Sequence, residues 1–262
     1  RAEMARRKGL QPLADLLLRQ QEQRVEQRAA SFVQGEVRSV DEALQGARDI
    51  LAEHFNETEA ARNLVRDQFK RTALISSKVV KGKEEEGNKY QDYFDFSEPL
   101  RRCSSHRLLA LRRGEAEGFL RVSITPDMES CSERLQRRFV KGRTAAAEQV
   151  SLALEDALKR LLKPAIETEF AQASKAKADE EAIQVFADNL RQLLLAAPLG
   201  PKRVLAIDPG FRTGCKVVCL DEQGNLRHFE TIYPHPPKQE TKKAMAKLGQ
   251  LVESYAIDAI AI

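Results

Sequence analysis

The chain has 262 residues, of which 42% are hydrophobic and 31% charged, with a formal net charge of +4. That composition suits a soluble, helix-rich protein, and no apolar stretch is long enough to cross a bilayer, which argues against a membrane protein. Basic and acidic residues nearly balance along the chain, so any nucleic-acid binding must come from local clusters rather than from a global field.

The first residue is Arg1, without a signal-peptide pattern, and the apolar run at residues 257–262 closes the sequence where a polar tail is usual. An excerpt of a longer chain is therefore expected. Apolar spacing is helical from the start to about Ala197. Residues 1–8 read as a helix stopped by Gly9, and Pro12 opens the next, with Leu13, Leu16 and Leu17 on one face. Leu44, Ala47, Ile50, Leu51 and Phe55 mark a third, and residues 60–70 a fourth. Residues 81–88 are charged and glycine-bounded, a solvated loop.

Beyond that loop, Tyr90, Tyr93, Phe94 and Phe96 cluster among Asp92, Asp95 and Glu98. Those acids would repel phosphate, so the rings are expected in packing rather than on nucleic acid. A short helix is predicted from Ser105 to Arg113, closed by Gly114, and the alternation of Leu120, Val122 and Ile124 predicts one strand. Thr144 begins a long helix that Pro164 should end or kink, opening the next. Asp179 precedes a last one with Ile183, Phe186, Leu190, Leu193 and Leu194 in register.

Residues 197–201 are rich in Pro and Gly, and beyond them the period changes. Three strands are expected near 204–207, 216–220 and 226–233, then a helix through Ala244, Leu248, Leu251 and Tyr255, then a strand at 257–262. The expected architecture is thus a mainly helical region with a small β element over residues 1–199. Residues 200–262 then form the first half, β-β-β-α-β, of an α/β ribonuclease-H-like domain.

Two clusters could carry chemistry. Asp208 follows the first of these strands directly, in a glycine turn, where open sheets present side chains to ligands. It either helps hold a magnesium pair, as in a metal-dependent nuclease, or fixes the turn. One carboxylate cannot hold two metals, and Asp258 opens its strand at the opposite end. The second cluster is basic: Arg134, Arg137, Arg138 and Lys141 stand at i, i+3, i+4 and i+7, with Arg143 just beyond. Such a face contacts a polyanion or pairs with an acidic neighbour of the same protein. Arg101, Arg102, Arg107, Arg112 and Arg113 form a looser group with the same two readings.

Cys103, Cys131, Cys215 and Cys219 include no CxxC pair, so reduced cytoplasmic thiols are expected and no metal site. Cys215 and Cys219 share one strand face, as buried small hydrophobes or, less simply, as metal ligands. The sequence holds no P-loop, dinucleotide fingerprint, HExxH or nucleophile elbow, so no cofactor is expected.

The run Ala206-Ile207-Asp208-Pro209-Gly210-Phe211-Arg212-Thr213-Gly214-Cys215-Lys216 resembles the opening of the YqgF-type, ribonuclease-H-like domain of the Tex family of bacterial transcription-accessory proteins. Residues 92–100, 105–114 and 189–195 resemble the helical region that precedes it. The resemblance implies a multidomain scaffold that binds RNA or DNA. It would have helix-turn-helix character in the helical region, helix-hairpin-helix motifs, a C-terminal OB-fold module, and the transcription machinery as a further partner. It carries over no catalytic role beyond Asp208 as a candidate, so a nuclease using Asp208 stands as the alternative function.

Overall fold

Short polar residues punctuate the helices. The Ser39 side chain accepts from the Glu42 amide, Asp127 from Ser130 and Thr144 from Ala147, each supplying one of the acceptors a helix start lacks. The computed structural model describes residues 1–210 and 213–262; Phe211 and Arg212 of the glycine-turn motif lie outside the described residues. It divides into two units, Arg1–Asp188 and Asn189–Ile262, with the division falling inside the last helix of the helical part.

The first unit runs α1 (Ala2–Arg7), α2 (Gln11–Leu18), α3 (Val25–Ala30), α4 (Val40–Glu57), α5 (Glu59–Thr72), β1 (Leu74–Val79), β2 (Asp95–Pro99), α6 (Ser105–Ala116), β3 (Leu120–Thr125), α7 (Met128–Phe139), α8 (Ala145–Asp156) and α9 (Lys163–Leu195). Its core takes Leu13 and Leu17 from α2, Ala47, Ile50 and Leu51 from α4, Phe69 from α5, and Val150 and Leu154 from α8. These are the positions that three- and four-residue spacing sets on one face.

Two local expectations need correcting. The β element has three antiparallel strands, in the order β2-β1-β3, where one was expected. β1 escapes pattern reading because its inward positions include Ser77, buried yet satisfied by donating to the Tyr93 carbonyl at 2.6 Å. Gly114 does not close α6 but lies within it, where a β-carbon would fall 2.6 Å from Leu120 Cδ1, and the helix stops before Gly118, whose φ is +78°. Pro164 stands at the second position of α9, where a helix start tolerates it, after the turn Ala157–Leu162 has widened to a π-helix. Widening of this kind accommodates the proline ring and its missing N–H one turn earlier.

The aromatic cluster is packing, as expected. Tyr90 is buried and lies against Phe119, while Tyr93 meets Phe96 edge-on. The helical stripe Ile183, Phe186, Leu190, Leu193 and Leu194 is present on α9, but these side chains are exposed.

The second unit contains β4 (Val204–Asp208), β5 (Cys215–Leu220), β6 (Leu226–Ile232), α10 (Thr241–Ser254) and β7 (Ala259–Ala261). The sheet order is β6-β5-β4-β7, a hairpin meander followed by a helical crossover to a strand parallel to β4. Leu205, Val217, Cys215 and Cys219 are buried with Ala244 and Leu251 of α10. The two thiols therefore pack as small hydrophobes, and burial together with nearby Glu230 pushes the Cys219 thiol up.

The start of the β4/β7 ladder is pinned by charge. Arg203 donates to Asp258 through Nε (2.9 Å), Nη2 (2.8 Å) and its backbone N–H (3.0 Å), while the Asp258 amide donates to the Arg203 carbonyl. The guanidinium holds the Asp258 carboxyl well below the usual carboxylate range. A depressed folded-state pKa stabilises the fold above the unfolded value of about 3.9 and loses that contribution as pH falls below it. Asp258→Asn is therefore expected to lower the denaturation midpoint at pH 7, with the gap from wild type beginning to narrow below about pH 4 and closing only as pH falls through the depressed folded-state value. A constant gap across that range would show that the ionised pair contributes nothing.

Candidate nucleic-acid interface

Helix α7 buries Cys131 and Leu135 and exposes Arg137 and Arg138. Asp127 caps its start, and it ends at Phe139 because Val140 is extended and Gly142 has φ +84°, outside helical geometry. Lys141 therefore lies beyond the helix, not one turn further along its face as the spacing suggests.

The five basic residues separate into two kinds. Arg134 is partly buried, and its Nη1 donates to Gln68 Oε1 at 2.8 Å, so it braces α7 against α5. Gln68 in turn donates to Ser130 at 2.7 Å, which completes a small buried polar link. Arg137, Arg138, Lys141 and Arg143 are exposed, and no side chain of these four forms an ion pair among the described residues. In the looser basic group Arg107 pairs with Glu98 and Arg112 with Glu115, while Arg101, Arg102 and Arg113 are exposed without an ion pair among the described residues.

Gln20 fixes the loop that follows α7, a role its neighbours in sequence do not signal. Its Nε2 donates to the Phe139 carbonyl at 2.9 Å, its Oε1 accepts from the Lys141 amide at 2.6 Å, and its own carbonyl accepts from Thr144 Oγ1 at 2.9 Å. The residue is 7% exposed with φ +58°. Left-handed backbone costs a non-glycine residue on the order of 1 kcal/mol, and three hydrogen bonds from one buried residue offset it. These partners lie 119 to 124 positions along the chain, out of reach of any local pattern.

Asp208 ends β4 and is exposed, facing Lys216 across the β4/β5 ladder, with Nζ 3.7 Å from Oδ2. Among the described residues its carboxylate meets that lysine and no amide of the turn. No group of three or more His, Cys, Asp or Glu stands together among the described residues. A magnesium pair needs further acids besides Asp208, and none stands beside it among the described residues. The hollow alongside, lined by Gly210, Gly214, Tyr233 and Lys238, holds about 50 Å³, too little for a nucleotide.

Comparison with known proteins bears on what this architecture is. A family model described as Tex central region-like matches residues 20–186, and one described as Tex protein YqgF-like domain matches residues 202–262. The chain belongs to the Tex family. Its relatives include the uncharacterized protein YdcI of Bacillus subtilis, 38% identical over 100% of this chain and 37% of its own length. The transcriptional accessory protein Tex of Neisseria gonorrhoeae is 37% identical over 100% of this chain and 35% of its own. The human S1 RNA-binding domain-containing protein 1 is 29% identical over 90% of this chain and 25% of its own. The chain thus spans about a third of the length of its bacterial Tex relatives. The β-β-β-α-β unit is where the YqgF-like model matches, and the helical unit is where the central-region model does. No helix among the described residues is long and apolar enough to cross a membrane.

Proposed function

We propose that this chain is part of a transcription-accessory scaffold that binds nucleic acid, and that it touches the phosphate backbone through Arg137, Arg138, Lys141 and Arg143. The observation that carries this reading is that all four are exposed on one helix end and the loop after it, with no carboxylate paired to them among the described residues. Like charges gathered without compensation cost stability unless a polyanion answers them. Two relatives are named for transcription or for RNA binding, which supports the same direction. In this reading residues 1–199 and 200–262 are separate domains, with the boundary where α9 has ended and β4 has not begun. Asp208 is a surface acid of the second domain, paired with Lys216 rather than placed for nuclease chemistry.

The test is a salt titration. Each neutralised phosphate releases counterions, so a plot of log K against log salt has a slope of about 0.9 per phosphate bound on a duplex and about 0.7 on a single strand. Replacing all four residues with Gln is expected to flatten the slope by about 3.6 on a duplex or about 2.8 on a single strand, uniformly across sequences, if each binds one phosphate. Stability should move by less than about 0.5 kcal/mol, because these are surface positions outside any ion pair. An unchanged slope, or a fall in melting temperature with the slope intact, would mean that the cluster serves the fold and not a ligand.

A further inference from the structure

The loop that carries Lys141 and Arg143 is not alone on its surface. Gln20 ties it at three points to the α2–α3 connection, and the Ala146 amide adds a fourth by donating to the Glu22 carbonyl at 3.0 Å. The two segments, residues 19–24 and 137–143, are therefore held as one surface, although more than a hundred residues separate them. The α2–α3 segment brings Arg19 and Arg24, both exposed and with no ion pair to their guanidinium groups among the described residues. Within the two segments the one acid is Glu22, and it is engaged by Arg28 Nε at 2.8 Å and by the Arg24 amide at 2.9 Å.

The same surface lacks a stacking group. The one aromatic residue in the two segments is Phe139, and its ring is turned inward against Phe55, with centroids 5.5 Å apart. Proteins that take single strands combine a basic groove with rings on which bases stack, whereas duplex backbones are gripped at their phosphates without stacking. A preformed loop pair held by buried hydrogen bonds also presents its cations at fixed spacing, which matches a regular helix better than a flexible strand.

Building on the nucleic-acid reading above, we propose that the two loops form one platform for the sugar–phosphate backbone of a double helix, with Arg19 and Arg24 binding phosphates in addition to the α7 group. Gln20 is a positioning residue: it touches no ligand and sets the distance between the two sets of cations.

The experiment uses the full chain and a random-sequence DNA duplex, the RNA duplex of the same sequence, and each single strand, titrated across salt. The double variant Arg19→Gln/Arg24→Gln is expected to weaken duplex binding equally for unrelated sequences. It should reduce the salt slope by about 0.9 for each phosphate left unneutralised, with an unaltered melting curve. The two duplex arms show which backbone the platform takes, and weaker binding of either supports it. If the α7 quadruple variant flattens the slope and the double variant does not, the platform idea falls while the proposed function stands. If neither variant changes it, both fall. Tighter binding of single strands than of either duplex, with the double variant affecting only the single strands, also overturns the proposal. Gln20→Ala supplies a second readout, because it removes no charge: duplex affinity should fall with the salt slope nearly unchanged. An unchanged affinity in a folded Gln20→Ala protein would show that the loops need not be held together.

Discussion

Phe69→Ala is expected to destabilise the helical unit by about 3–5 kcal/mol, the usual range for emptying a buried aromatic site. Phe69 is 1% exposed on α5, and its ring stands 5.1 Å from that of Phe170 on α9, so it joins the middle of the unit to its last helix. Truncation removes both the ring's burial and the aromatic pairing. The cavity cannot collapse easily, because Arg66, one turn earlier, is held to Glu169 and fixes the same helix pair. Thermal unfolding should shift down by roughly 6–20 °C in a unit of this size. A shift below about 2 °C would mean that the helices close over the gap and that this ring pair is not central to the core.

Gly214→Ala should be nearly as damaging, but to the other unit. Gly214 has φ +86°, and a β-carbon there would fall 2.6 Å from both Thr231 Cγ2 and Tyr233 Cε1. Left-handed backbone costs a residue with a side chain about 1–2 kcal/mol, and overpacking a filled site adds roughly 1–3 kcal/mol. The strain falls where β5 begins and pairs with the end of β6, at Cys215 and Ile232. Hydrogen exchange should therefore quicken in β5 and β6 by about 1.5 to 3.5 orders of magnitude, at about 1.4 kcal/mol per factor of ten, with α4 and α8 unchanged. Equal protection in the variant would show that the turn shifts to make room. Glycine at this position is thus a packing requirement of the fold, and the family resemblance of the motif need not imply catalysis.

Charge is the least legible feature of the sequence. Arg134, Arg137, Arg138 and Lys141 look equivalent by spacing, yet Arg134 is committed to Gln68 and Lys141 lies past the helix end. Helical spacing reports which side chains share a face only while the helix lasts, and it cannot report a partner on another element. Pattern alone puts Asp208 at a strand end, but its neighbour Lys216 emerges only from the register of β4 against β5.

Local sequence is enough to set most helices of the first unit, the change of period near residue 200, the β-β-β-α-β order and the family. These follow from periodicity, capping residues and breakers, or from long matched motifs, all of which are written within a few turns of chain. Other features exist only once distant segments have met. Pairing with β2 and β3 makes β1 a strand with Ser77 inward, and a π turn precedes Pro164. Packing also lets Gln20 join two loops whose hydrogen-bond partners lie more than a hundred residues apart. For Ser77 and Gln20 a polar group meets its partner from another segment, and a hydrogen bond of that kind leaves no period in the sequence.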